Sequence, residues 1–137
     1  MKIKAIGASV PGLALGLFLA GCGSGNEDAG AAVEMPVLEG DNLLQGRGVW
    51  VQTCRACHLT GVGGAPAVTD RAEWDERLPK GEDALYQSVL NGIRGEDGRF
   101  RMPPRGGNDR LTDAQVRQAV QYKMAAVKHL QQRREEP

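Results

Sequence analysis

Cys54-Arg55-Ala56-Cys57-His58 places two thiols and an imidazole within five positions. On a helix the two sulfurs stand about one turn apart, with the histidine directly after the second. Such a C-x-x-C-H run suits covalent attachment of a c-type haem. The thiols form thioethers with the vinyl groups along one haem edge, and the imidazole meets the iron from below. Zinc and a redox dithiol use the same residue types. Structural zinc takes four cysteine or histidine ligands, and after this cluster the chain offers only His129. A thioredoxin-like dithiol needs a strand leading into it within a βαβ pattern, and none precedes Cys54. As a disulfide, the pair would close too small a loop to staple a fold.

With His58 on one face of a haem, the other face needs a donor, and His129, Met35, Met102 and Met124 are available. Met35 falls in a polar, glycine-rich leader and Met124 inside a helical pattern, where a core role is the default. Met102 sits in "RFRMPPRGGN", 44 residues beyond His58. The two prolines after it fix φ at successive positions and push Met102 towards an extended backbone, which stiffens the loop around a thioether donor.

These groups must be positioned by helices. "NLLQGRGVWVQTC" leads into the cysteines as a helix that brings Leu43, Leu44, Val49 and Trp50 near one another. Gly46 and Gly48 weaken its propensity and leave room for another helix or a flat ligand. "EDALYQSVLNGI" spaces Leu85, Val89 and Ile93 helically and stops at Gly92. In the last helix Thr112 and Gln115 form a capping box, and Val116, Ala119, Val120, Val127 and Leu130 follow the helical period. Between the first two helices, "LTGVGGAPAVTDRAEWDERLPKG" is irregular apart from a short turn around Glu73 to Leu78. A loop of that length in a small domain usually wraps something. No period-two strand is visible.

Taken in order, "CRACH", "GVGGAPAV", Trp74 followed by Arg77, "MPPRGG" and "LTDAQVRQAVQYKM" make residues 43 to about 125 resemble the small bacterial class I cytochromes c, nearest the c-five type. The resemblance implies an all-α fold of helices wrapped around one covalent haem c, held at Cys54 and Cys57. It implies His58 and Met102 as axial iron ligands, and electron transfer as the activity. It further implies that the Pro66 carbonyl accepts from the His58 ring and orients it. Trp74 and Arg77 are candidates to donate to haem propionates, with ordinary core packing the alternative for Trp74. The additional cysteine pair of some such cytochromes is absent. Redox proteins are the expected partners, acidic ones if Arg94, Arg99, Arg101, Arg105 and Arg110 outweigh Glu96, Asp97 and Asp109 near the haem edge. A gas sensor would need Met102 off the iron. A fixed subunit of a dehydrogenase or reductase would share this sequence pattern. No nucleophile–base pair or acidic dyad marks an enzyme turning over a small-molecule substrate.

Lys2 and Lys4 precede an apolar run from Ile6 to Ala20 that ends in small residues, the pattern of a secretory signal over residues 1–21. Pro11, Gly12 and Gly16 interrupt a run shorter than the ~20 residues a spanning helix needs. Leu19-Ala20-Gly21-Cys22 resembles the lipobox of bacterial lipoproteins, which implies lipid on Cys22. Gly23 and Ser24, in place of an aspartate, point to the outer membrane, with the domain in the periplasm. Residues 22–41 carry five acidic residues and no basic one, a composition for a flexible tether with an average reach of about 25 Å. The domain then covers 42–131 and a frayed tail 132–137. The 137-residue chain balances 17 basic against 17 acidic residues. Removing the leader leaves the domain basic by about three charges, and no basic run suits nucleic acid. Aromatic residues make up 4% of the chain, so the core is thin and a haem would supply the missing apolar area.

Overall fold

The computed structural model describes residues 33–136. The signal segment 1–21, Cys22 and the tether as far as residue 32 lie outside the described residues. Five helices carry the architecture: α1 (Asp41–Val49), α2 (Arg55–His58), α3 (Arg71–Arg77), α4 (Gly81–Asn91) and α5 (Asp113–Arg133). The all-α class expected from the sequence is the fold observed, apart from one small hairpin.

Helix α5 is the spine. Thr112 caps it, accepting from the Gln115 amide at 3.3 Å, while Gln115 Oε1 accepts from the Thr112 amide at 2.9 Å. This reciprocal pair satisfies donors that a helix start leaves orphaned. The buried stripe Val116, Ala119, Val120, Tyr122, Ala126 and Val127 faces the core. Helix α1 crosses it at Gly46, where an added Cβ would lie 2.1 Å from the Gln118 carbonyl oxygen. Only glycine allows that approach, so Gly46 makes room for a helix, whereas Gly48 has nothing within 4 Å. The crossing seats Trp50 against Tyr122, ring centroids 6.1 Å apart and tilted by 58°. Both rings are fully buried, in one cluster with Met35, Val68, Trp74, Ala126 and Val127.

Helix α1 does not pass unbroken into α2. Trp50–Cys54 form a π-helical turn, whose extra residue re-aims α2 relative to α1. Helix α3 replaces the short turn expected around Glu73 to Leu78. Asp70 caps it, its Oδ1 accepting from the Glu73 amide at 3.2 Å, and Trp74 anchors it at 3% exposure.

The hairpin pairs β1 (Ile93–Arg94) with β2 (Phe100–Met102), Ile93 opposite Met102 and Arg94 opposite Phe100, with a bulge between Ile93 and Arg94. Strands of two and three residues are too short to show a period, which is why no alternation betrays them. Ile93, expected on the face of α4, lies in this hairpin at 46% exposure because Gly92 ends the helix first.

Two boundaries move. The described end of the expected tether packs on the domain: Met35 is buried, Val33 and Leu38 lie against the core, and the Tyr122 hydroxyl donates to the Pro36 carbonyl at 2.9 Å. Its acidic composition concealed apolar residues that α5 can cover. At the other end α5 runs to Arg133, and the expected frayed tail is tied back by Arg134 to the Thr69 carbonyl at 3.1 Å and by Glu135 to Arg71 at 2.6 Å.

Candidate functional site

Cys54 closes the π-helical turn, while Cys57 and His58 ride on α2. Both cysteines are free thiols, Cys54 half-buried and Cys57 exposed. Burial raises the Cys54 thiol above its ordinary pKa, against the pull of the Lys123 charge. His58 is 7% exposed, and its Nδ1 donates to the Pro66 carbonyl at 3.1 Å. A carbonyl only accepts, so the proton sits on Nδ1 and the lone pair on Nε2. Burial, then the Lys123 charge, pushes this imidazole down to about 4 despite the Pro66 bond. A neutral ring with a fixed tautomer is the form that ligates metal. Pro66 is placed by a backbone return after α2: Gly61 turns at φ 84°, and the Val68 amide donates to the His58 carbonyl at 2.9 Å.

Met102 ends the second strand of the hairpin, opposite Ile93. Gly92, at φ 74° and ψ 174°, lets α4 end against the methionine loop, where a Cβ would lie 2.7 Å from both the Met102 carbonyl oxygen and the Pro104 nitrogen. Beyond Met102, a tight turn at Pro104–Gly107 brings Gly106 against Thr53, with 2.9 Å from an added Cβ to Thr53 Cγ2. Asn108 donates to the Thr53 hydroxyl at 3.4 Å. The methionine loop is thereby pinned to the residue before Cys54.

Trp74 and Arg77 flank this region from α3, with their polar groups engaged within the chain. The Trp74 indole N–H, expected at a propionate, donates to the Ala67 carbonyl at 2.6 Å, which uses its single donor. Arg77 Nη1 donates to the Glu73 carbonyl at 2.7 Å and pairs with the Glu73 carboxylate at 2.6 Å. Lys123 carried no functional expectation from the sequence. Its ammonium stands 4.6 Å from the centroid of the Trp74 ring, near enough for its charge to act on both Cys54 and His58. A signal was available: Lys123 falls at the i+4 position between Ala119 and Val127, on the apolar stripe of α5.

The residues present fit a c-type haem. Two thiols flank a helical turn, and a buried neutral imidazole keeps Nε2 free. Lys123 forms no ion pair among the described residues. A haem offers vinyl groups to the thiols, iron to the imidazole and carboxylates to an uncompensated cation.

A family model described as cytochrome C oxidase, cbb3-type, subunit III, matches residues 41–122. The chain is 43% identical over 77 residues to cytochrome c-555 of Chlorobaculum tepidum, covering 56% of this chain and 69% of that one. It is 37% identical over 93 residues to cytochrome c-555 of Prosthecochloris aestuarii, covering 66% of this chain and 94% of that one. Cytochrome c5 of Ectopseudomonas mendocina matches at 37% identity over 70 residues, half of this chain and 74% of that one. Among solved structures, a chain of an electron transfer complex of nitrite reductase with cytochrome c superposes at a TM-score of 0.52 with 38% identity, covering 61% of this chain and 94% of that one.

Proposed function

Since the chain belongs to the class I bacterial cytochromes c of the c5 type and so transfers electrons through a covalently bound haem c, we propose that Cys54 and Cys57 form the two thioethers and that His58 and Met102 are the axial ligands. The observation that carries this is the His58 ring, buried and held by Pro66 with Nε2 free, one residue from Cys57. The stiff Met102 loop, docked on Thr53, supports the second ligand. When bound, the haem supplies an iron that takes and returns one electron. In this reading Cys54 and Cys57 would tether the haem, and His58 and Met102 would hold its iron from two sides. Sulfur at the second position favours ferrous iron and raises the potential. With both positions filled no site remains for a substrate, which suits a carrier without turnover of its own.

Visible spectroscopy of the purified protein, oxidised and reduced, alongside Met102→Ala tests this assignment. The wild type should keep its haem through acidic organic extraction, show the methionine-to-ferric-iron charge-transfer band and bind carbon monoxide poorly when reduced. Met102→Ala should lose the band, bind carbon monoxide readily and have a lower potential. A haem that washes out, or an unchanged Met102→Ala spectrum, would overturn the assignment.

The chain's placement is carried by its leader. The Leu19-Ala20-Gly21-Cys22 pattern supports export and lipid on Cys22, with the domain facing the periplasm from the outer membrane. No helix among the described residues is long and apolar enough to cross a membrane. From Cys22 to the packed Val33 the chain can stretch at most about 40 Å, so partners lie near that membrane. Cys22→Ala should release the protein into the soluble fraction, and retention there would argue against the anchor. Redox proteins with an acidic docking face suit the exposed arginines around the hairpin. Among the arginines there, exposed Arg94 stacks on Phe100 at 3.8 Å, and half-buried Arg105 pairs with Asp113 at 2.6 Å.

A further inference from the structure

Helix α5 carries one cation on its buried side. Lys123 lies between Tyr122, fully buried, and the stripe of Ala119, Ala126 and Val127. The groups around its ammonium come from three directions. The Trp74 ring, 4.6 Å away, and the Arg77 guanidinium belong to α3, while Cys54 and His58 belong to the attachment segment. None of these is a carboxylate. Arg77 already has Glu73 as its partner, so two like charges converge with an anion for only one of them. Lys123 is half-buried, and an ammonium drawn partly out of water beside a second cation, without a counter-charge, is unfavourable. Desolvation pushes Lys123 down to about 7, against the pull of Cys54 and with the Arg77 charge adding to the fall.

The Trp74 face contributes attraction, though less than a carboxylate gives in a dry site. The folded domain thus holds a cation beside its haem-attachment residues that forms no ion pair among the described residues. A haem carries two carboxylates. Resting on the haem assignment above, we propose that Lys123 is the internal counter-ion of the haem, its ammonium pairing with a propionate carboxylate. This role differs from the one the sequence suggested for Trp74, whose single N–H is spent on Ala67, and it stands beside that of Arg77, whose Nη1 is engaged by Glu73.

The pairing has a redox consequence. Ferric haem carries one more positive charge than ferrous haem, and a propionate left uncompensated in a low-dielectric site stabilises the ferric form. An ammonium that neutralises the propionate removes that bias and holds the potential up. Lys123 is thus a positioning and tuning residue that acts through the haem carboxylate.

The test compares midpoint potentials of the purified holoprotein with those of Lys123→Met, Lys123→Gln and Lys123→Arg, each with its visible spectrum. Methionine matches the length of the lysine stem and tolerates burial, and the glutamine variant serves if the methionine one does not accumulate. The neutral variants should keep covalent haem and the charge-transfer band of the axial methionine while their potential falls below that of the wild type. Lys123→Arg should restore it. An unchanged potential in the neutral variants would overturn the proposal, as would an equal shift in the arginine variant, which would assign the effect to packing. If the wild type carries no covalent haem, the haem assignment itself fails. Covalent haem with a potential indifferent to Lys123 sinks only the pairing.

Discussion

His58, Gly92 and Lys123 each have one structural property that narrows their use. For His58 it is the Pro66 carbonyl, which fixes the proton on Nδ1 and leaves Nε2 as the donor. For Lys123 it is the lack of an anionic partner among the described residues. Gly92 combines a φ of 74° with ψ 174°, a region open essentially to glycine, with backbone atoms of Met102 and Pro104 at 2.7 Å from any added Cβ. Gly92→Ala must therefore displace the methionine loop or strain the end of α4. A cost of about 2 to 4 kcal/mol is expected from strain and overpacking together. Denaturant unfolding of the holoprotein measures it. The accompanying loss or weakening of the methionine-to-iron band distinguishes a displaced loop from a merely softened helix end. A variant of wild-type stability with an intact band would show that the loop is not held by this contact.

At the scale of elements, the close crossing of α1 and α5 decides how the attachment segment is presented. Gly46 sits on the Gln118 backbone, and the Trp50–Tyr122 pair results directly from that approach. Gly48, two residues on, faces open space. The two glycines should answer oppositely to the same substitution. Gly46→Ala must push the helices apart and should cost about 3 kcal/mol or more. Gly48→Ala removes a flexible residue from a helix at no steric cost and should stabilise by about 0.5 to 1 kcal/mol. Thermal or denaturant melts of the two variants provide the check, and equal effects would contradict the helix-crossing account. The π-helical turn belongs to this scale too, since it puts Thr53 where Asn108 and Gly106 can reach it.

For the molecule as a whole, charge matters through its distribution. The formal net charge of the chain is zero, yet the hairpin and the turn after it gather arginines around the Met102 loop. Several of these cations are occupied internally, Arg94 by the Gly98 carbonyl and Phe100, and Arg105 by the Leu111 carbonyl and Asp113. The field left for an acidic partner is modest, carried by Arg99, Arg101 and Arg110. Electron-transfer rates with an acidic redox protein should therefore fall as ionic strength rises, by less than a strongly steered pair would show. Stopped-flow rates across a salt series provide the measurement, and rates indifferent to salt would exclude steering by these side chains.

Local features of the sequence determined much of this protein. The spacing of Cys54, Cys57 and His58, the stiff Met102-Pro103-Pro104 run, the capping box of α5 and the helix stop at Gly92 are written in contiguous residues, because each depends on neighbours a few positions away. The boundaries read less well. Acidic and glycine-rich composition hid the packing of Met35, and charged residues hid the tie-back of Arg134 and Glu135, since both contacts join distant parts of the chain. Only the tertiary structure decided that Trp74 donates to Ala67, that Gly46 rather than Gly48 admits the crossing helix, and that Lys123 meets Trp74 and Arg77 with no anion among the described residues. The physical reason is common to all three. A side chain's type and period place it on the core face, but its partners are supplied by elements that sequence order does not bring together.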